Sequence, residues 1–260
     1  GAHVTRTTQT GGALIQTGNG GAVNVLGNIS YEALSDRDTR SVSIAGAGGL
    51  GAVTAGEGSI SHSSDAKIIF DNGTSAGNGI ALDVTDNLTL TARNQDSYDG
   101  SLDAGAVAVA GATGAKLRND GSANTEINLG NFAAITARNM TATSENNLAK
   151  TGLNQNFRFD GGGGISVTVG DSRTTQAQTN RLATGDNSSI ELSGTGTAQG
   201  ALTLNALTDV TAKDEMILNT GALVGVPVSD TAITASASND VVVGTGASLT
   251  TTRGDIVISA

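Results

Sequence analysis

Apolar and polar residues alternate one by one in short runs of this chain. In Leu88-Thr89-Leu90-Thr91-Ala92, the set Leu88, Leu90 and Ala92 falls on one face and the two threonines on the other. The same period recurs in Ile165-Ser166-Val167-Thr168-Val169 and in Ile256-Val257-Ile258. A two-residue period is that of a half-buried β-strand, so each run predicts a strand with its apolar residues turned inward. Turn-forming clusters separate the runs: Asp71-Asn72-Gly73, Asn119-Asp120-Gly121, Thr184-Gly185-Asp186 and Arg253-Gly254-Asp255. No segment carries a convincing helical period.

One phrase recurs along the chain. It reads NLTLTARN from Asn87, with relatives NISYEALSD from Asn28, NMTATSENN from Asn139 and DVTAKDEM from Asp209, at steps of 59, 52 and 70 residues. Each copy is followed by a polar stretch and then a Gly/Ala/Val segment: Ser41–Gly56, Asp103–Leu117, Asp160–Ser172 and Gly221–Ala235. An imperfect repeat of short strands predicts an all-β fold, with sandwich, propeller and solenoid as the options. Composition separates them. With 37 glycines and only 2% aromatic residues, the chain lacks the bulky rings that a sandwich core or propeller blade draws on. Small aliphatic residues suit a narrow interior stacked layer on layer. The expectation is therefore one parallel β-helix, or β-solenoid, spanning residues 1–260, with repeats starting near 28, 87, 139 and 209. Rungs of roughly 20–25 residues, on the order of a dozen at about 4.8 Å each, would make a rod roughly 50–60 Å long.

The net charge of -10 and a pI near 4.5 argue against nucleic acid and anionic membrane surfaces as partners. There is no cysteine, which excludes disulfides and Cys-ligated zinc. No apolar run approaches the roughly 20 residues of a membrane-spanning helix, and the aromatic girdles of a membrane barrel are missing. The chain opens mid-pattern at Gly1-Ala2-His3-Val4, which predicts a segment of a longer protein.

Candidate chemistry is sparse. The two histidines, His3 and His62, sit in no nucleophile motif and are expected in exposed loops. The carboxylates Asp36/Asp38, Asp96/Asp99/Asp103 and Asp214/Glu215 are expected in solvated connections. Asp36, Asp38, Asp96 and Asp99 carry the oxygen chemistry of a calcium site but lack the spacing of a calcium loop. Asn28, Asn87 and Asn139 each open an N-x-[ST] sequon, a glycosylation signal. Asn also suits a corner by its side-chain hydrogen bonds, and Asp209 keeps the corner while losing the sequon. No catalytic residue and no cofactor other than calcium is expected.

The stretch NDVVVGTGASLTTTRGDIVIS, residues 239–259, resembles a haemagglutinin-type rung, and the LTLTARN and ITARNMTAT phrases and the Gly/Ala/Val segments add to the likeness. In these the chain resembles the large filamentous adhesins of Gram-negative bacteria, the filamentous haemagglutinin-like and leukotoxin-like surface proteins. The resemblance implies a right-handed parallel β-helix stalk, secreted through an outer-membrane partner and facing host or neighbouring cells. The family's secretion motif is not evident, so the stretch would be shaft. The alternative is a β-helix polysaccharide lyase or glycoside hydrolase, which needs a groove with three or more convergent carboxylates.

Overall fold

The computed structural model describes residues 2–18, 20–151, 157–194 and 200–260. The fold is all-β. Its strands are β1 (Ala2–Thr17), β2 (Ala22–Val25), β3 (Ile29–Ser35), β4 (Asp38–Phe70), β5 (Ala81–Val84), β6 (Asn87–Asn128) and β7 (Ala134–Ala137), followed by β8 (Asn139–Lys150), β9 (Phe157–Thr184), β10 (Ser189–Leu192), β11 (Leu202–Ala212), β12 (Met216–Val243), β13 (Ser248–Thr251) and β14 (Ile256–Ser259). The ladders between them are parallel.

Register sets the repeat. Ile29 pairs with Leu88, Leu88 with Met140, Met140 with Leu202 and Leu202 with Ile256. The step is 59 residues from Ile29 to Leu88, 52 from Leu88 to Met140 and 62 from Met140 to Leu202. One layer therefore consumes more than twice the expected rung, because each layer holds a long excursion as well as a compact base. The short strands stack five deep, in the order β13-β10-β7-β5-β2, a height of about 20 Å at 4.8 Å per step. The register also corrects the fourth phrase. Asp209 pairs with Asn147, so the true fourth copy is Ala201-Leu202-Thr203-Leu204, and Asp255-Ile256-Val257-Ile258 is a fifth.

The long strands fold back on themselves. Straight, β6 with its 42 residues would span roughly 140 Å. Instead its two limbs face one another: the Asn94 amide donates to the Asn124 carbonyl at 3.2 Å, and Leu102 packs in one cluster with Leu117. The Gly/Ala/Val segments stack at the tips of these arcs, with Gly46 on Gly105 and Gly105 on Asp160. Small residues permit the close approach there. A Cβ on Gly163 (φ 129) would collide with the Ala108 carbonyl.

The interior has three zones. At the base, Ile68, Phe70, Leu82, Val84, Leu88, Leu90, Ile127, Ile135, Ile190 and Leu204 form the main apolar core. Leu88, Leu90 and Ala92 lie within it as the alternation predicts. Along the arcs the interior turns polar, with Asn94, Asp96, His62, Thr125, Asn146, Lys150 and Gln176 all buried. At the tips, Ala52, Ala106 and Ala108 form a small apolar cluster.

Three local expectations are reversed. In β9, Ile165, Val167 and Val169 are 56%, 39% and 43% exposed, whereas Ser166 and Thr168 are buried. The facing limb approaches at Gly161, where even a Cβ would strike both hydroxyls, so only small side chains fit inside. Asn119-Asp120-Gly121 is no turn but part of the second limb of β6, where Gly121 lies under the Tyr98 ring. Ile256, Val257 and Ile258 are all exposed, because no described layer covers β14.

Candidate functional site

Counting by twos from Leu88 leads through Leu90, Ala92, Asn94, Asp96 and Tyr98, all buried. The inward face of β6 thus carries a carboxylate and a phenol between the limbs, and two buried polar clusters form around them.

The first cluster centres on Asp96. His62 Nε2 lies 3.1 Å from Asp96 Oδ2, and the Ser35 hydroxyl and the Arg37 backbone N–H each donate to Asp96 Oδ1 at 3.0 Å. The Arg37 guanidinium stands 3.8 Å away. The His62 ring stacks on Tyr98 with centroids 5.9 Å apart and planes 8° from parallel. Burial works to raise the Asp96 pKa, but hydrogen bonding to His62 and Ser35, with the facing Ser64 hydroxyl and the charge of His62, outweighs it and holds the carboxyl below its usual value. The Thr39 hydroxyl lies 3.1 Å from His62 Nδ1, so hydroxyl, imidazole and carboxylate stand in relay order. All three are buried. The adjacent surface recess, about 260 Å3, is lined by Gly12, Leu34, Ser35, Asp36 and Arg37 and reaches neither Thr39 nor His62. Ser35 and Arg37 border this recess, while Thr39, His62 and Asp96 are buried.

The second cluster centres on Lys150, at the end of β8. Its Nζ lies 3.1 Å from Asp99 Oδ1 and 2.9 Å from Asp214 Oδ1, and these side chains are 0%, 3% and 1% exposed. Nζ also donates to the Lys213 carbonyl at 2.7 Å. Asp214 Oδ2 accepts from Thr174 Oγ1 at 2.7 Å and Ser172 Oγ at 3.3 Å. Tyr98 lies beside this cluster too. Burial pushes its phenol well above the ordinary range; Gln176 opposes this, and the carboxylates of Asp120, Asp214 and Asp99 add to it.

The four calcium candidates are dispersed by this arrangement. Asp96 and Asp99 enter different clusters, each already facing cationic or donor side chains. Asp38 is exposed and accepts from Ser97 Oγ at 2.7 Å, and Asp36 is exposed. Among the described residues no group of three or more His, Cys, Asp or Glu side chains is placed to hold a metal. The expectation of exposed histidines holds for His3 and fails for His62, and that of solvated carboxylates fails for Asp96, Asp99 and Asp214. The signal was in the sequence: Asp96 and Lys150 keep the inward phase of their strands, Lys150 following Met140, Ala142, Ser144, Asn146 and Leu148 by twos. Asp99 is out of phase and carried no such mark.

The sequon asparagines form a ladder. Asn87 Nδ2 donates to Asn28 Oδ1 at 2.7 Å, and Asn139 Nδ2 to Asn87 Oδ1 at 2.8 Å. Asn139 Oδ1 accepts the Ala201 N–H at 3.0 Å, so the fourth copy receives the ladder through its backbone. The amide nitrogens of Asn87 and Asn139 that a glycosyltransferase would modify are thus donors between layers. A second ladder runs at the next corner: Asn72 Oδ1 accepts from the Asn131 N–H, Asn131 Oδ1 from the Asp186 N–H and Asp186 Oδ1 from the Thr245 N–H, at 3.0, 2.8 and 2.7 Å.

No protein-family model, curated protein or solved structure matches the chain.

Proposed function

We propose that the chain is a right-handed parallel β-solenoid and serves as a stalk segment of a secreted bacterial surface adhesin. The observation that carries this reading is the continuity of the ladders. Both the backbone pairing and the two asparagine-rich corner ladders run from layer to layer along one direction. Such a stack resists bending, because tilting one layer strains every hydrogen bond beneath it. Its role is mechanical: it holds a distal binding or toxin tip away from the cell and presents variable outer loops to a host or neighbouring cell. An outer-membrane partner would export the full-length chain.

The test is an in-frame deletion of this segment from the parent protein. Surface display, followed with an epitope tag, is expected to persist while attachment to target cells drops, and the shed protein is expected as thin rods in electron micrographs. Release of unsaturated or reducing sugar ends from polysaccharides by the purified chain would overturn the reading in favour of a lyase or hydrolase.

A further inference from the structure

The Lys150 cluster holds two carboxylates against one amine. Both carboxylates stand within 3.1 Å of the same Nζ, and condensation of the amine with either of them requires that one as the free acid. Tyr98, a member of the apolar cluster it forms with Ile60, Ala123 and Leu148, lies beside these carboxylates. Asp214 is held asymmetrically. Its Oδ2 takes the Thr174 and Ser172 hydroxyls. Its Oδ1 stands 2.9 Å from Lys150 Nζ. One oxygen is held by two hydroxyls and the other faces the amine.

We infer that Lys150 and Asp214 condense without an external enzyme to form an intramolecular isopeptide bond, with Asp99 moving the protons. Asp99, 3.1 Å from Nζ, takes a proton from the ammonium. The freed lone pair attacks Cγ of the protonated Asp214 carboxyl. Negative charge develops on Oδ2, where Ser172 and Thr174 donate, an arrangement of the oxyanion-hole kind. Asp99 then gives its proton to the departing Oδ1 hydroxyl and takes a second proton from nitrogen. A C–N bond forms, a C–O bond breaks and one water leaves. Asp99 ends protonated, net charge is unchanged, and nothing is oxidised or reduced. The amide joins consecutive layers, since the Lys213 N–H already donates to the Lys150 carbonyl at 3.3 Å. The inference stands apart from the stalk reading, although a covalent tie between layers suits a rod under tension.

The experiment is intact mass spectrometry of the purified chain under denaturing conditions, followed by tryptic mapping. The expected mass is one water below that of the sequence, with peptide 139–158 uncut at Lys150 and joined to peptide 214–253. Lys150→Arg and Asp99→Asn are expected at full mass while still melting cooperatively. Asp214→Asn is expected to lose ammonia instead of water, which identifies the acyl group. A folded wild-type chain that stays at full mass after prolonged incubation would overturn the proposal. So would a water loss mapped to an Asp-Gly succinimide, or a link made to Asp99.

Discussion

Asp96 accepts from Ser35 and from the Arg37 N–H inside the arc and pairs there with His62. In the unfolded chain such a carboxyl titrates near about 3.9; in the fold it titrates lower. Its stabilisation is therefore complete above the unfolded value and lost as pH falls toward the folded one. Urea midpoints taken from about pH 6 down to about pH 3 should decline, and Asp96→Asn should flatten part of that decline. Asp96→Ala leaves His62 and the Arg37 N–H without their acceptor, and the expected loss is roughly 3–5 kcal/mol in denaturant unfolding. The position was legible from its phase in the strand. Its partners were not, because His62 and Ser35 reach it from other layers and another limb.

At the scale of the element, the inner face of β9 runs against the usual pattern. The hydroxyls of Ser166 and Thr168 are buried without hydrogen-bond partners, while Ile165 and Val167 face outward. Thr168→Val keeps the shape and removes an unsatisfied polar group, so thermal unfolding should show a gain of about 1–3 kcal/mol. Glycines at the corners behave differently from one another. A Cβ on Gly185 would run into the Gly130 carbonyl, whereas one on Gly114 meets open space. Gly185→Ala is expected to cost roughly 1–3 kcal/mol by overpacking, and Gly114→Ala to stay within about 0.5 kcal/mol of the parent in the same melts. Alternation announces a strand. It does not say which face is inside when both faces carry small residues, and in β9 the width of the gap decides.

Across the whole molecule, the layers differ in cover. β6 is paired on both edges along much of its length, by β3 and β4 on one side and by β8 and β9 on the other, whereas among the described residues β14 is paired only by β11 and is exposed throughout. Hydrogen exchange should thus be slowest in β6 and β8 and fastest in β13 and β14; equal protection throughout would mean that the stack opens as one unit. The sequence by itself determined the all-β character, the recurrent phrase with its asparagine corner, the stacked Gly/Ala/Val segments and the inward set Leu88, Leu90 and Ala92. These depend on period and composition, which are local. Tertiary structure alone decided the long layer step, the shift of the fourth phrase from Asp209 to Ala201, the outward turn of Ile165 and Val167, and the meeting of Lys150 with Asp99 and Asp214. Each of these rests on which residues stand opposite one another across a gap or between layers: in β9 the gap is closed from within the strand at Gly161, and the others are fixed by register and packing between segments more than fifty residues apart.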